Sequence, residues 1–244
     1  MQTVTTEISN LEGAVVLSNL ARGTEIYSPG DPSDRVFVLR SGQVKVSVLG
    51  PGGKHCIFHV FEPGDVFGED ALFDWGSRKS GAEVIERASV TMVPRESVLL
   101  HGGRHPEFWK SFAELLGLRI KNLEDQLQWV SLLEVEQRIV RLLLRWVEAA
   151  SAKGLSPETL PFRLSQKHLA GLIGATRETT SNALNRLQRK GCLEIRRRRV
   201  IIKSVDGLRQ AGIVAAAAKL GPDRETAAAE AAKAARTRGR AAQA

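Results

Sequence analysis

The hydrophobic period of this chain changes near residue 105, and that switch limits its architecture more than any other feature. Before it, apolar residues come in short alternating runs. Val36-Phe37-Val38-Leu39 leads into Ser41-Gly42, and Val44-Lys45-Val46-Ser47-Val48 follows with a period of two. Such a pair of runs predicts a hairpin about Ser41-Gly42. A second turn is marked by Gly50-Pro51-Gly52-Gly53, and Cys56-Ile57-Phe58-His59-Val60-Phe61 is a further strand closed by Glu62-Pro63-Gly64-Asp65. Short strands at even spacing from about Gly23 to Val93 predict an antiparallel roll or barrel. After Pro106 the spacing is helical. Phe112, Leu116, Ile120, Leu123, Leu127 and Val130 recur at three and four residues, a narrow seam on one helix face. A seam so long and narrow predicts pairing with the same helix of a second subunit, through Leu116, Ile120, Leu123, Leu127 and Val130. A second amphipathic stretch, 134–150, includes Ile139, Leu142, Leu143 and Trp146.

Charge is distributed as unevenly as hydrophobicity. Residues 161–203 hold eleven Lys/Arg against only Glu178 and Glu194, a net of +9, within a chain of net charge +8. A mildly acidic body joined to a strongly basic segment is the electrostatic profile of a nucleic-acid reader. The pattern inside that segment points the same way. Ser165 is placed to cap a helix that begins at Gln166, Gly174 supplies a turn, and Thr176 is placed to cap a second helix from Arg177. Two short helices about a glycine form a helix-turn-helix. Leu193-Glu194-Ile195 and Val200-Ile201-Ile202 then read as two strands around Arg196, Arg197, Arg198 and Arg199, a wing with a four-arginine tip. On the second helix Thr180, Leu184 and Leu187 share one side, while Glu178, Ser181, Asn182, Asn185 and Arg189 share the other. Residue types of the latter kind read base edges in a major groove.

The order of roll, long helix and winged helix over residues 22–203, with Gly174-Ala175-Thr176-Arg177-Glu178-Thr179, resembles the CRP/FNR family of bacterial regulators. The resemblance implies an α+β chain with an N-terminal antiparallel, jelly-roll-like β-roll sensor over 1–105 and a long dimerisation helix over 106–133. A C-terminal winged helix-turn-helix follows over 134–204, then a short helix and an Ala/Arg-rich tail over 205–244. It also implies a symmetric homodimer, double-stranded DNA as partner, and contacts with RNA polymerase through residues 153–160. Arg177 and Glu178 match the family's base or phosphate readers, and Ser181 matches a base-contacting serine of the FNR branch. At the next position, usually an arginine that reads guanine, this chain has Asn182.

Phe67-Gly68-Glu69-Asp70-Ala71-Leu72-Phe73 and Arg78-Lys79-Ser80-Gly81-Ala82 resemble the cyclic-nucleotide pocket of the cyclic-AMP receptor branch. By that resemblance Gly68 and Ser80 cradle a phosphate, Glu69 accepts from a ribose 2′-OH, and Lys79 stands where an arginine pairs with the phosphate. Lysine lacks the bidentate fork, and Leu123-Glu124 replace a Thr-Ser pair that meets the purine. Cyclic AMP, another ligand, or no effector therefore all stay open, as does a rival role in which such a module docks on protein or membrane.

Other chemistry has little support in the sequence. Two cysteines, Cys56 and Cys192, are too few for an all-cysteine cluster in one chain and read as buried free thiols. His55, Cys56 and His59 read as strand residues rather than haem ligands. There is no nucleophile–base pair, metal-ligand cluster or phosphate-binding glycine loop, so an enzyme is not expected. No apolar run reaches the roughly 18 residues of a membrane span, and the first twenty residues do not resemble a secretory signal. The expected location is the cytoplasm.

Overall fold

A computed structural model describes residues 2–73, 76–152, 154, 165–196 and 199–217. The chain forms two compact units, Met1–Leu127 and Gln128–Ala244. The first opens with helix α1 (Gln2–Ser9), followed by β1 (Val15–Leu20), β2 (Glu25–Tyr27), β3 (Arg35–Leu49), β4 (His55–Phe61), β5 (Val66–Phe67) and β6 (Gly81–Pro94). Helix α2 (Arg95–Arg104) leads into α3 (Pro106–Leu132), within which the boundary between the units falls. The sheet is six-stranded, in the order β1-β6-β3-β4, with β2 also on β6 and β5 on β3, all antiparallel.

The expected hairpin about Ser41-Gly42 does not form. Strand β3 continues through these residues and stays paired with β6 from Arg35↔Pro94 to Ser47↔Gly81. Gly42 is instead the site of a bulge, with register shifts on both sides and φ of 79°. A Cβ there would lie 2.1 Å from the Arg87 carbonyl oxygen, so only glycine fits the approach of the two backbones. The turn at Gly50 to Gly53 does join two paired strands, β3 and β4.

The unbroken apolar run in β3 has a direct consequence, because successive side chains point to opposite faces. Val36 and Val38 enter one core with Val4 and Ile8 of α1, Val98 of α2, and Phe108, Phe112 and Leu115 of α3. Phe37 and Leu39 enter another with Tyr27, Phe61, Phe67, Val84 and Val90. Both faces of this 36–39 run are buried, and each fully buried side chain of this size contributes roughly 1.5–3 kcal/mol. Phe112 is thus intrachain core, whereas Leu118, Ile120, Leu123, Leu127, Val130 and Leu132 of α3 are exposed.

The second unit contains α4 (Val135–Ala152), α5 (Gln166–Ile173), α6 (Arg177–Arg189), β7 (Leu193–Arg196), β8 (Arg199–Ile202) and α7 (Val205–Ala217). One face of α4, carrying Ile139, Leu142 and Leu143, is buried, and the helix packs on α5, α6 and α7. Ser151 and Ala152 are still helical, so the amphipathic stretch read over 134–150 continues two residues further. Of residues 153–160, tied by resemblance to polymerase contact, only Gly154 is described. The expected tail beyond α7 lies outside the described residues. The expectation of two buried thiols is half met: Cys192 is buried, but Cys56 is exposed because it occupies the outward register of β4 opposite Val48.

Candidate nucleic-acid interface and sensor cavity

The helix-turn-helix is built by two capped starts and one left-handed turn. The Ser165 side chain accepts a hydrogen bond from the His168 amide, and the Thr176 side chain accepts one from Thr179. Each satisfies an amide that the first helical turn leaves without an intrahelical partner. Gly174 ends α5 at φ 66°, where a larger residue would be strained. The faces of α6 divide as its sequence implies. Thr180, Leu184 and Leu187 are 0 % exposed, while Arg177, Glu178, Asn182 and Asn185 are exposed and Ser181 is half-buried. At the start of α5, Ser165 and Gln166 are half-buried.

Strands β7 and β8 pair from Leu193↔Ile202 to Arg196↔Arg199 and so bring two of the four arginines opposite one another. Arg197 and Arg198, between them, lie outside the described residues. Glu194 bonds to Arg196 and faces Lys203 at 3.4 Å. The Arg196 hydrogen bond holds the Glu194 carboxyl below its ordinary value.

Two residues that position this unit are not apparent from the sequence. Arg138 donates to the carbonyls of Leu133 (2.9 Å), Val130 (2.8 Å) and Ile173 (3.1 Å). It thereby serves carbonyls at the ends of α3 and α5 that lack intrahelical partners. Val130 lies against the same turn, its Cγ2 3.2 Å from where a Cβ on Gly174 would be. Glu136, on α4, accepts from Arg186 at 2.7 Å and Lys190 at 2.6 Å, fixing the C-terminal end of α6. Both bonds join residues about fifty positions apart, so no local pattern announces them.

Burial opposes ionisation of Glu136, but the hydrogen bonds from Lys190 and Arg186 outweigh it and hold the carboxyl below its ordinary value of 4.5. A lowered folded-state value stabilises the fold above the unfolded value and loses that effect as pH falls through the folded one. Glu136→Gln is therefore expected to cost about 2 kcal/mol at neutral pH. The difference from the unmodified chain should shrink in acid, below the usual carboxylate range. Denaturant melts at several pH values measure it, and equal stability at pH 7 would remove Glu136 from this role.

In the first unit a cavity of about 790 Å³ opens between the sheet and α3. It gathers Gly68, Glu69, Lys79 and Ser80, the four expected effector residues, with Leu116, Ile120 and Leu123 of α3. Glu124, beside Leu123, does not line it. Gly68 has φ of 73°, and a Cβ on it would lie 2.9 Å from the Phe37 ring and 3.1 Å from Arg78 Nη1. The neighbouring Arg78 is buried beneath the loop, where it donates to the Gly68 carbonyl at 3.0 Å, pairs with Asp70 and bonds to the Arg35 carbonyl. Its guanidinium stands 4.3 Å from the Tyr27 ring centre. Burial pushes the Tyr27 phenol above its ordinary value of 10, and Asp70 adds to the effect, so Tyr27 faces the cavity as a neutral phenol.

Glu69 does not present a free carboxylate for a ribose. It is paired with Arg119 of α3, which also donates to the Val66 carbonyl and lies 5.1 Å from the Phe61 ring centre. Among the described residues Lys79 engages no carboxylate. Arg119 and Tyr27 are the cavity residues that the sequence reading lacked. Arg119 lies three residues before Asn122 on a helix read only for its apolar seam, and Tyr27 comes from a three-residue strand with no alternation to detect.

Comparison with known proteins gives the two units separate and concordant relatives. The family model described as cyclic nucleotide-binding domain matches residues 17–99, and that described as Crp-like helix-turn-helix domain matches residues 137–211. A CRP-like cAMP-activated global transcriptional regulator of Mycobacterium tuberculosis is 26% identical over 187 residues, covering 77% of this chain and 84% of the relative. A cyclic AMP receptor protein of Thermus thermophilus is 29% identical over 174 residues, covering 71% of this chain and 77% of the relative. The fumarate and nitrate reduction regulatory protein of Escherichia coli is 25% identical over 191 residues, covering 78% and 76%. Among solved structures, FixK2 from Bradyrhizobium japonicum shares the fold at a TM-score of 0.71 and 24% identity, covering 81% of this chain and 96% of that one. These relatives are transcription regulators, not enzymes. No helix among the described residues is long and apolar enough to cross a membrane.

Proposed function

This chain belongs to the CRP/FNR family of transcription regulators, and on that premise we propose that it works as a cytoplasmic homodimer that binds double-stranded DNA. The observation that carries the reading is the face of α6. Its apolar side is wholly buried and its outward side presents Arg177, Glu178, Asn182 and Asn185, with Ser181 beside them. Arginine pairs with guanine, asparagine with adenine, and glutamate accepts from cytosine N4, so this face carries groups that discriminate bases. Thr176 fixes the start of that helix. Ser165 and Gln166, with the wing arginines 196–199, are assigned to phosphates, which position the protein without reading sequence. The exposed seam of α3 is assigned to the second copy, and residues 153–160 to RNA polymerase.

Cyclic AMP remains a candidate effector because the first unit matches a cyclic nucleotide-binding domain. The pairing of Glu69 with Arg119 and the lysine at position 79 argue for weak affinity at most, and for substantial DNA binding without any effector. Selection of binding sites from random duplex, with and without cyclic AMP, tests the reading. The expected product is an inverted repeat whose half-sites are one DNA turn, about 34 Å, apart, recovered under both conditions. Recovery of no preferred sequence would contradict base reading by α6, and recovery only with cyclic AMP would contradict effector independence.

A further inference from the structure

We propose that the cavity of the first unit is a receptor site for a small carboxylate with an apolar acyl or aromatic body. The proposal rests on reading the chain as a regulator whose first unit is a sensor. It names a ligand class other than a cyclic nucleotide.

The cavity has the size of a small-molecule site: about 790 Å³, within the roughly 300–1,000 Å³ such pockets occupy. Its walls are apolar on both sides, Val46, Val48 and Phe61 from the sheet and Leu116, Ile120 and Leu123 from α3. The charged residues at its edge are almost all spent on one another. Glu69 is paired with Arg119, and Asp70 with Arg78. Lys79 is left, beside the hydroxyl of Ser80. Among the described residues the cavity therefore offers one cation without a carboxylate partner and the hydroxyls of Ser80 and Tyr27, within a largely apolar wall that also includes the His59 ring.

A ligand that matches carries one negative charge at the rim and buries hydrocarbon within. A lysine ammonium meets an anion as a point charge, and a carboxylate supplies that charge at the end of an otherwise apolar body. A purine would bury its ring donors and acceptors among Val46, Val48, Leu116, Ile120 and Leu123, whose side chains offer no hydrogen bond, and unpaired buried polar groups weaken binding. Hydrocarbon in the same place loses nothing and removes apolar wall from water.

Calorimetric titration of the full-length, dialysed protein tests this with decanoate, decanol and cyclic AMP as probes. One decanoate per chain should bind, more tightly than cyclic AMP, with a negative heat-capacity change. Lys79→Ala should weaken decanoate roughly tenfold and leave decanol unchanged. Val48→Asp should abolish binding of both. The proposal is overturned if cyclic AMP binds more tightly than decanoate, if millimolar decanoate gives no heat, if Lys79→Ala weakens both chain-like probes equally, or if Val48→Asp leaves decanoate binding intact. Binding of random duplex by the same preparation reports on the DNA-reading role separately. Lost decanoate binding with intact DNA binding would overturn this proposal alone.

Discussion

Ile120→Asp is expected to convert the protein to monomers and to lower its affinity for a selected operator on the order of a hundredfold or more. Ile120 is 58 % exposed in a single chain, and it stands in a row with Leu123 at 46 %, Leu127 at 67 % and Val130 at 43 %. A contiguous apolar stripe of this kind on one helix marks an interaction site, and the spacing is that of a coiled-coil seam. In the proposed homodimer a second copy of the helix would cover it with the same residues, because a two-fold contact is self-complementary. Aspartate at its centre would be buried without a partner, which costs far more than the leucine and isoleucine contacts around it return. The loss at the operator follows from geometry, since a monomer holds one half-site and forfeits the effective concentration that tethers the second. Sedimentation equilibrium and operator titration measure the two effects. Leu127→Asp, which does not border the cavity, should behave in the same way. Dimers that persist in both variants would assign the stripe to something other than self-association.

The parts of the fold that local chemistry determines are the parts the sequence discloses. Ser165 and Thr176 cap helices with their own following turns, and Gly174 reverses the chain within one residue, so the helix-turn-helix is readable to the residue. The opposed faces of α6 follow from helical spacing alone. Pairing between distant strands is different. Gly42 carries the local signature of a turn, yet a backbone forty-five residues away, at Arg87, uses its missing Cβ for a bulge inside a continuous strand. Strand β1 and helices α1 and α2 escape for a related reason. No residue of β1 is fully buried, and only a few apolar residues of the two helices are, such as Val4 and Ile8 of α1 and Val98 of α2, whose partners are remote. The candidate effector residues were found by resemblance and do come together. What their sequence does not convey is that Glu69 and Asp70 are already paired, because Arg119 and Arg78 reach them from another helix and another turn.

Replacing Arg196, Arg197, Arg198 and Arg199 with alanine is expected to weaken binding to every DNA sequence by a similar factor, on the order of a hundredfold near 0.1 M salt. The wing strands should survive, because Leu193 and Ile202, their buried residues, are untouched. Arg196 is paired with Glu194 in the unmodified chain, so on the proposed reading a phosphate would compete with that ion pair. The larger effect is on salt dependence. Each phosphate contact contributes roughly 0.9 to the slope of log affinity against log salt, so the variant's slope should be flatter by several units. A preserved slope would take the wing out of the interface even if affinity fell.

The unmodified chain provides the most direct measurement: its affinity for random-sequence duplex between roughly 0.05 and 0.2 M salt. A net charge of +9 over residues 161–203, on a helix-turn-helix and its wing, predicts binding that weakens linearly on logarithmic axes with a slope of several units. Absence of binding at the lowest salt, or binding that salt leaves unchanged, would contradict a DNA-reading role for this protein.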